Sequence, residues 1–176
     1  LASSAASDVY KRQVVQRLPR RVSVPQAQVR FLPPLLMKFT AMKILTLIIK
    51  QKWFDAILSG EKTVETREVR PTNTKYISYR DNNTGKVYKK DSDVPESAWD
   101  SEKGVDTVIN HYDAIQFWVG YEKNRPGALV EVKGVELVDV CDEETKEPIV
   151  YEHNGNEYTM TEIDYHLGKV IEKMNC

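Results

Sequence analysis

Apolar and polar residues alternate in short runs separated by turn-forming residues, a pattern that points to strands more than to helices. Residues 43–49, Lys-Ile-Leu-Thr-Leu-Ile-Ile, are β-branched and apolar and predict a strand buried on both faces. The period then changes. Within Lys50–Ser59, Trp53, Phe54, Ile57 and Leu58 fall on one helical stripe, and Gly60 stands where a left-handed C-cap would close the helix. Strand character returns over 62–69. Residues 75–90 predict a hairpin about Asp81-Asn-Asn-Thr-Gly85, and 91–110 are polar and irregular, an excursion over the surface.

Asp113–Val119 predicts another strand, and Asn124-Arg-Pro-Gly127 a turn. Ala128–Val140 follows as one long or bent strand, with Gly134 as a point of breakage. An acidic loop at Asp142–Glu144 leads to a second hairpin over Ile149–Met160, centred on Asn154-Gly155. Leu167–Ile171 can close a sheet as a last strand, while a helix through Thr161–Met174 fits the same stretch. One early helix and six or seven strands, following one another without helices between them, define an α+β class. They favour a small, mostly antiparallel sheet curled into a barrel, with a short helix after the first strand.

Composition qualifies this picture in one respect. The 176 residues carry 25 basic and 26 acidic side chains, a formal net charge of −1, and 41% are hydrophobic. The average hides two unlike pieces. Residues 1–36 hold Lys11, Arg12, Arg17, Arg20, Arg21 and Arg30 against Asp8 alone, a local +5, which leaves −6 on the remainder. The basic segment contains Pro19, Pro25, Pro33 and Pro34 and follows neither period, so disorder is expected. It resembles an organellar transit peptide, a phosphate-meeting basic arm, or translated adapter sequence. The last fits Leu1–Gln13 ahead of the first methionine, Met37, so 1–36 reads as a non-native leader and no function is assigned to it. The domain expected is 37–176, with an insertion at about 71–110.

Cys141 and Cys176 make neither a disulfide framework nor a zinc site, and the expectation is a reduced, cytoplasmic chain. No apolar run approaches the ~18 residues of a membrane span. His111 and His153 have no partner pattern, and nothing points to a metal or a cofactor.

The candidate chemistry is concentrated in Gly60-Glu-Lys-Thr-Val-Glu-Thr-Arg67. Glu65 and Arg67, two apart on a strand, share a face and can form a charge-assisted pair. Strict alternation sends Lys62 to the opposite face, unless the helix–strand corner brings it back over the same cleft. Trp118 and Tyr112 share one face of the 113–119 strand, with Ile115 and Phe117 on the other, so one face is core and the other available.

A strand, a short helix ending in Leu-Ser-Gly, and then Gly60-x-Lys62-x-x-Glu65-x-Arg67 resemble the ASCH domain (activating signal cointegrator homology) of the PUA-like superfamily. The likeness is fullest over 43–67. It extends more loosely to Tyr112–Tyr121 and His166–Ile171, segments similar to the longer bacterial and phage-type members, and it lapses over 71–110. The resemblance implies a PUA-like β-barrel with a cleft beside the helix, and RNA or a modified nucleoside or nucleotide as ligand. Some small bacterial members hydrolyse the acetyl amide of N4-acetylcytidine, using the motif lysine and a threonine three residues later. Here those positions are Lys62 and Glu65, and a carboxylate does not replace a hydroxyl nucleophile. Glu65 can instead hold or deprotonate water beside Lys62.

Catalytic candidates are therefore Lys62 and Glu65. Ligand-binding candidates are Gly60, Thr63, Arg67, Trp118, Tyr121, Arg125 and His166, with the aromatics offered to an unpaired base and Arg125 to phosphate. Binding of RNA or a modified nucleotide is the first expectation. Amide hydrolysis is the second, and a protein-interaction or regulatory module the third.

Overall fold

The computed structural model describes residues 16–19 and 42–175. Strand β1 (Gln16–Pro19) pairs antiparallel with residues 138–141, so this piece of the basic segment is extended and hydrogen-bonded; the disorder expected for the rest of 1–36 lies outside the described residues. The elements that follow are β2 (Ile44–Ile49), α1 (Gln51–Ser59), β3 (Val64–Val69), β4 (Ile77–Asp81), β5 (Val87–Tyr88), α2 (Glu96–Trp99), β6 (Val105–Ile109), β7 (Ala114–Val119), β8 (Gly127–Cys141), β9 (Val150–His153), β10 (Asn156–Thr159) and β11 (Thr161–Met174). Strand makes up 51% of the described residues, and helices are few among them.

The main sheet runs β2-β7-β8-β11-β3, with β1 added to β8. Its pairs are antiparallel except β2 and β7, which run parallel in the register Leu45↔Ile115 and Leu47↔Phe117. The expected closed barrel is not formed. Among the described residues the hydrogen-bonded path ends at β2 on one side and β3 on the other. The edges still approach one another, because Arg67 on β3 donates to the Ile48 carbonyl of β2 at 3.1 Å.

Alternation determines the core. Leu45, Leu47 and Ile49 point inward while Ile44, Thr46 and Ile48 do not, so β2 is buried on one face and not on both as expected. As an edge strand, it has one face packed and the other toward solvent. Ile115 and Phe117 of β7, Val130 and Leu137 of β8, and Ile163 and Tyr165 of β11 meet these residues in one cluster, closed from one side by Phe54 and Ile57 of α1. The helix considered for 161–174 is not there. β11 pairs with both β3 and β8, with register shifts after His166, Leu167 and Val170.

The stretch 71–110 is more ordered than expected. It forms a three-stranded sheet, β5-β4-β6, with α2 packed beside it. Asp81 holds the hairpin turn by accepting from the Asn83 N–H at 2.8 Å and the Thr84 hydroxyl at 2.6 Å. The hairpin β9–β10 turns at Asn154-Gly155, both with positive φ (52° and 79°), as its Asn-Gly pair predicts. No helix among the described residues is long and apolar enough to cross a membrane.

Candidate functional site

The site begins at the end of α1. Gly60, at φ 80°, donates its N–H to Ile57 O at 3.1 Å and ends the helix in the left-handed conformation that glycine adopts at little cost. Lys62 N–H then donates back to Ala56 O at 2.9 Å. This folds the chain onto its own helix before β3 begins, and Lys62 returns over the face that strict alternation would deny it. Its Nζ lies 5.5 Å from the centre of the Trp53 ring, 2.6 Å from Val64 O and 3.3 Å from Glu65 Oε2.

On β3, Glu65, Arg67 and Val69 share the inward face. Glu65 is only 5% exposed, a carboxylate at the floor of the site. Arg67 Nη2 reaches its Oε1 at 2.7 Å. The two cations thus flank one buried carboxylate and neutralise it, as burial of that charge requires. Burial raises the Tyr76 phenol above its usual range, with Arg67 opposing the rise and Glu65 adding to it. Burial raises the Tyr165 phenol in the same way.

The other wall comes from the ends of β2 and β7. The resulting open cleft holds about 690 Å³ and is lined by Lys62, Glu65, Arg67, Trp53, Lys50 and Tyr121, among others. Tyr121 is 82% exposed at the rim. Three cationic side chains, Lys50, Lys62 and Arg67, face one carboxylate in a domain that is acidic as a whole. The arrangement suits an anionic or carbonyl-bearing ligand with a planar ring.

Of the residues singled out from the sequence, Lys62, Glu65, Arg67 and Tyr121 come together here. Gly60 caps the helix beneath them. Thr63 is exposed beside the cleft, and its carbonyl accepts from Leu167 N–H at 2.8 Å. Trp118 alternates away from the buried Phe117, its ring pressed against Gly127, where a Cβ would fall 2.5 Å from it. Arg125 lies over that ring at 5.2 Å and donates to Gly120 O at 3.1 Å. His166 sits on the sheet face opposite Tyr165 and Leu167, with Nε2 2.7 Å from Glu136 Oε1. The structure does not bring these last three into the cleft.

Trp53 is the residue that sequence reasoning missed. It falls on the same helical stripe as Phe54 and Ile57, yet it is 46% exposed while they are buried. The signal available was angular. At about 100° per residue, Trp53 lies on the margin of the Phe54–Ile57–Leu58 stripe. The Ile48 carbonyl, which holds Arg67, had no signal at all.

Family models, curated proteins and solved structures were each compared with the chain, and none matches it.

Proposed function

We propose that residues 37–176 form an ASCH-type, PUA-like domain whose cleft binds a nucleotide or an unpaired, modified base of RNA. The observation that carries this reading is the convergence of Lys62, Glu65 and Arg67 on one open cleft beside Trp53 and Tyr121. Lys62 and Arg67 keep 23% and 29% of their side chains exposed, so each can donate to phosphate or to a carbonyl edge while holding Glu65. Trp53 and Tyr121 offer ring faces for stacking. The acidic domain argues for one small site over a long basic track, because nonspecific binding to extended nucleic acid depends on many phosphate contacts.

The test is titration of nucleoside monophosphates and short single-stranded RNA against the wild type, Lys62→Ala and Arg67→Ala. Loss of affinity in both variants supports the reading, and equal binding by all three proteins overturns it.

Proximity of Lys62 Nζ to Glu65, at 3.3 Å, favours a second reading, hydrolysis of an N4-acylated cytidine. Glu65 would orient water and Lys62 would stabilise the developing oxyanion. Thr66 also lines the cleft, and its hydroxyl donates to Asp164. Incubation with N4-acetylcytidine and measurement of cytidine and acetate release checks this, and absence of both products at high protein concentration excludes that substrate.

A further inference from the structure

A second groove opens where β3 ends. It holds about 780 Å³, and its walls are the insertion on one side and the β9–β10 hairpin on the other. The insertion contributes Tyr79 and Trp99, ring centres 6.1 Å apart and edge-on at 64°. The hairpin contributes Tyr151 and Tyr158, stacked at 6.0 Å and 28°, with His153 edge-on to Tyr158 at 6.3 Å. The Tyr158 hydroxyl donates to Asp91 Oδ2 at 2.7 Å and ties the two walls together. Arg70, which pairs with Glu68 at 2.7 Å, and Lys90 line the groove together with Asp91 and Glu157.

These aromatics do not behave as a satellite core. Trp99 is 45% exposed beside an open volume. Asn154 and Asn156, also lining the groove, are exposed amides able to donate and accept at a base edge. Aromatic faces, amides and cations in one groove are what a flexible single strand uses, since every base has a stacking face and its backbone seeks positive charge. The volume lies in the range of small-ligand sites. The groove follows the cleft along the same face of β3: Arg67 lines the cleft and Val69 lines the groove, two residues further on, about 7 Å at roughly 3.3 Å per residue.

We infer that the Tyr79–Trp99 and Tyr151–Tyr158 groove is a second nucleobase site, which takes a base flanking the one held by Lys62, Glu65 and Arg67, so that the ligand is a single-stranded RNA segment laid along β3. The inference rests on the proposed function for its first contact, and on the groove's own aromatics and cations for its second.

The experiment compares a nucleoside monophosphate with a short mixed-sequence single-stranded RNA, using the full chain. The proteins are the wild type, Trp99→Ala, Arg70→Glu and Arg67→Ala. Arg70 keeps 65% of its side chain exposed, so its variant remains informative if Trp99→Ala fails to fold. Wild type binds the oligonucleotide more tightly than the monophosphate. Trp99→Ala and Arg70→Glu each weaken the oligonucleotide roughly five- to a hundredfold, and the monophosphate much less. The inference is overturned if both groove variants bind the oligonucleotide as wild type does, or if wild type prefers the monophosphate. Groove variants without effect, together with a damaging Arg67→Ala, leave the cleft reading standing alone. The reverse pattern removes the cleft reading and overturns the claim that one strand spans both sites, leaving the groove as a separate site. No binding of either probe by wild type removes both.

Discussion

Arg67 Nη2 donates to Glu65 Oε1 at 2.7 Å and, from the same nitrogen, to Ile48 O at 3.1 Å on the far edge of the sheet. One guanidinium therefore neutralises a buried carboxylate and pins together two strands that share no ladder. Removing it leaves Glu65 with Lys62 alone and the Ile48 carbonyl without this donor. Arg67→Ala is expected to lower stability by about 1–3 kcal/mol, the range for taking a hydrogen-bond partner from a buried polar group. Arg67→Lys keeps the charge but not the planar guanidinium that reaches Glu65 and the Ile48 carbonyl together, so it recovers part of the loss. Chemical denaturation of the three proteins measures this, and an unchanged midpoint for Arg67→Ala would show that the pin is dispensable.

Adjacent residues of α1 have opposite assignments. Phe54 is 2% exposed within the core, and Trp53 is 46% exposed in the cleft. Phe54→Ala should cost about 3–5 kcal/mol of stability. Trp53→Ala should leave the unfolding midpoint close to wild type while weakening nucleotide binding roughly fivefold or more. Paired thermal melts and ligand titrations check both. A large stability loss in Trp53→Ala would return Trp53 to the core, where the sequence pattern had put it.

Tyr165 is fully buried, and its hydroxyl has no hydrogen-bond partner among the described residues. A buried hydroxyl without a partner carries a desolvation cost that phenylalanine avoids, so Tyr165→Phe should be neutral or stabilising by up to ~1 kcal/mol. The phenol is also held above its ordinary value of 10.0 by burial. A raised value means that the folded chain keeps this proton where the unfolded chain releases it. Stability from this group is complete below pH 10 and declines as the pH rises above it. Denaturation between neutral and alkaline pH should show a smaller alkaline loss in Tyr165→Phe; destabilisation at neutral pH would reveal a hydroxyl contact of value.

Between β4 and β6, the Arg80 guanidinium bonds Asp106 at 2.8 Å and, assisted by Asn82, holds that carboxyl below its ordinary value of 3.8. For a lowered carboxyl, the contribution is complete above the unfolded value and is lost as pH falls through the folded one. The β4–β6 pairing should therefore loosen in acid below about pH 3.8. Trp99, in contact with Tyr79 on the same small sheet, reports it through fluorescence in a Trp53→Phe, Trp118→Phe background. Asp106→Asn should abolish this acid component, and an unaltered titration would place the transition elsewhere.

Local chemistry was legible where backbone geometry alone governs it. Gly60 as a left-handed cap, the Asp81–Gly85 and Asn154-Gly155 turns, and the shared face of Glu65 and Arg67 follow from periods and turn residues spanning a few positions. The tail was ambiguous for a physical reason. Ile163, Leu167, Val170, Ile171 and Met174 carry a helical spacing, and β11 accommodates it with the register shifts after His166, Leu167 and Val170. Two flanking strands satisfy its backbone, and pairing then outweighs the pattern.

The sequence by itself determined that the chain is strand-rich with one capped early helix, and that Glu65 and Arg67 point the same way. Only the tertiary structure decided that Lys62 and Trp53 join them, that Arg67 crosses to Ile48, that the sheet stays open, and that Trp118, Arg125 and His166 lie elsewhere. Alternation and capping are properties of neighbouring residues and can be read along the chain. Which edge curls toward which, and which side chains then share a cleft, depends on packing between segments far apart in sequence, and no local period encodes it.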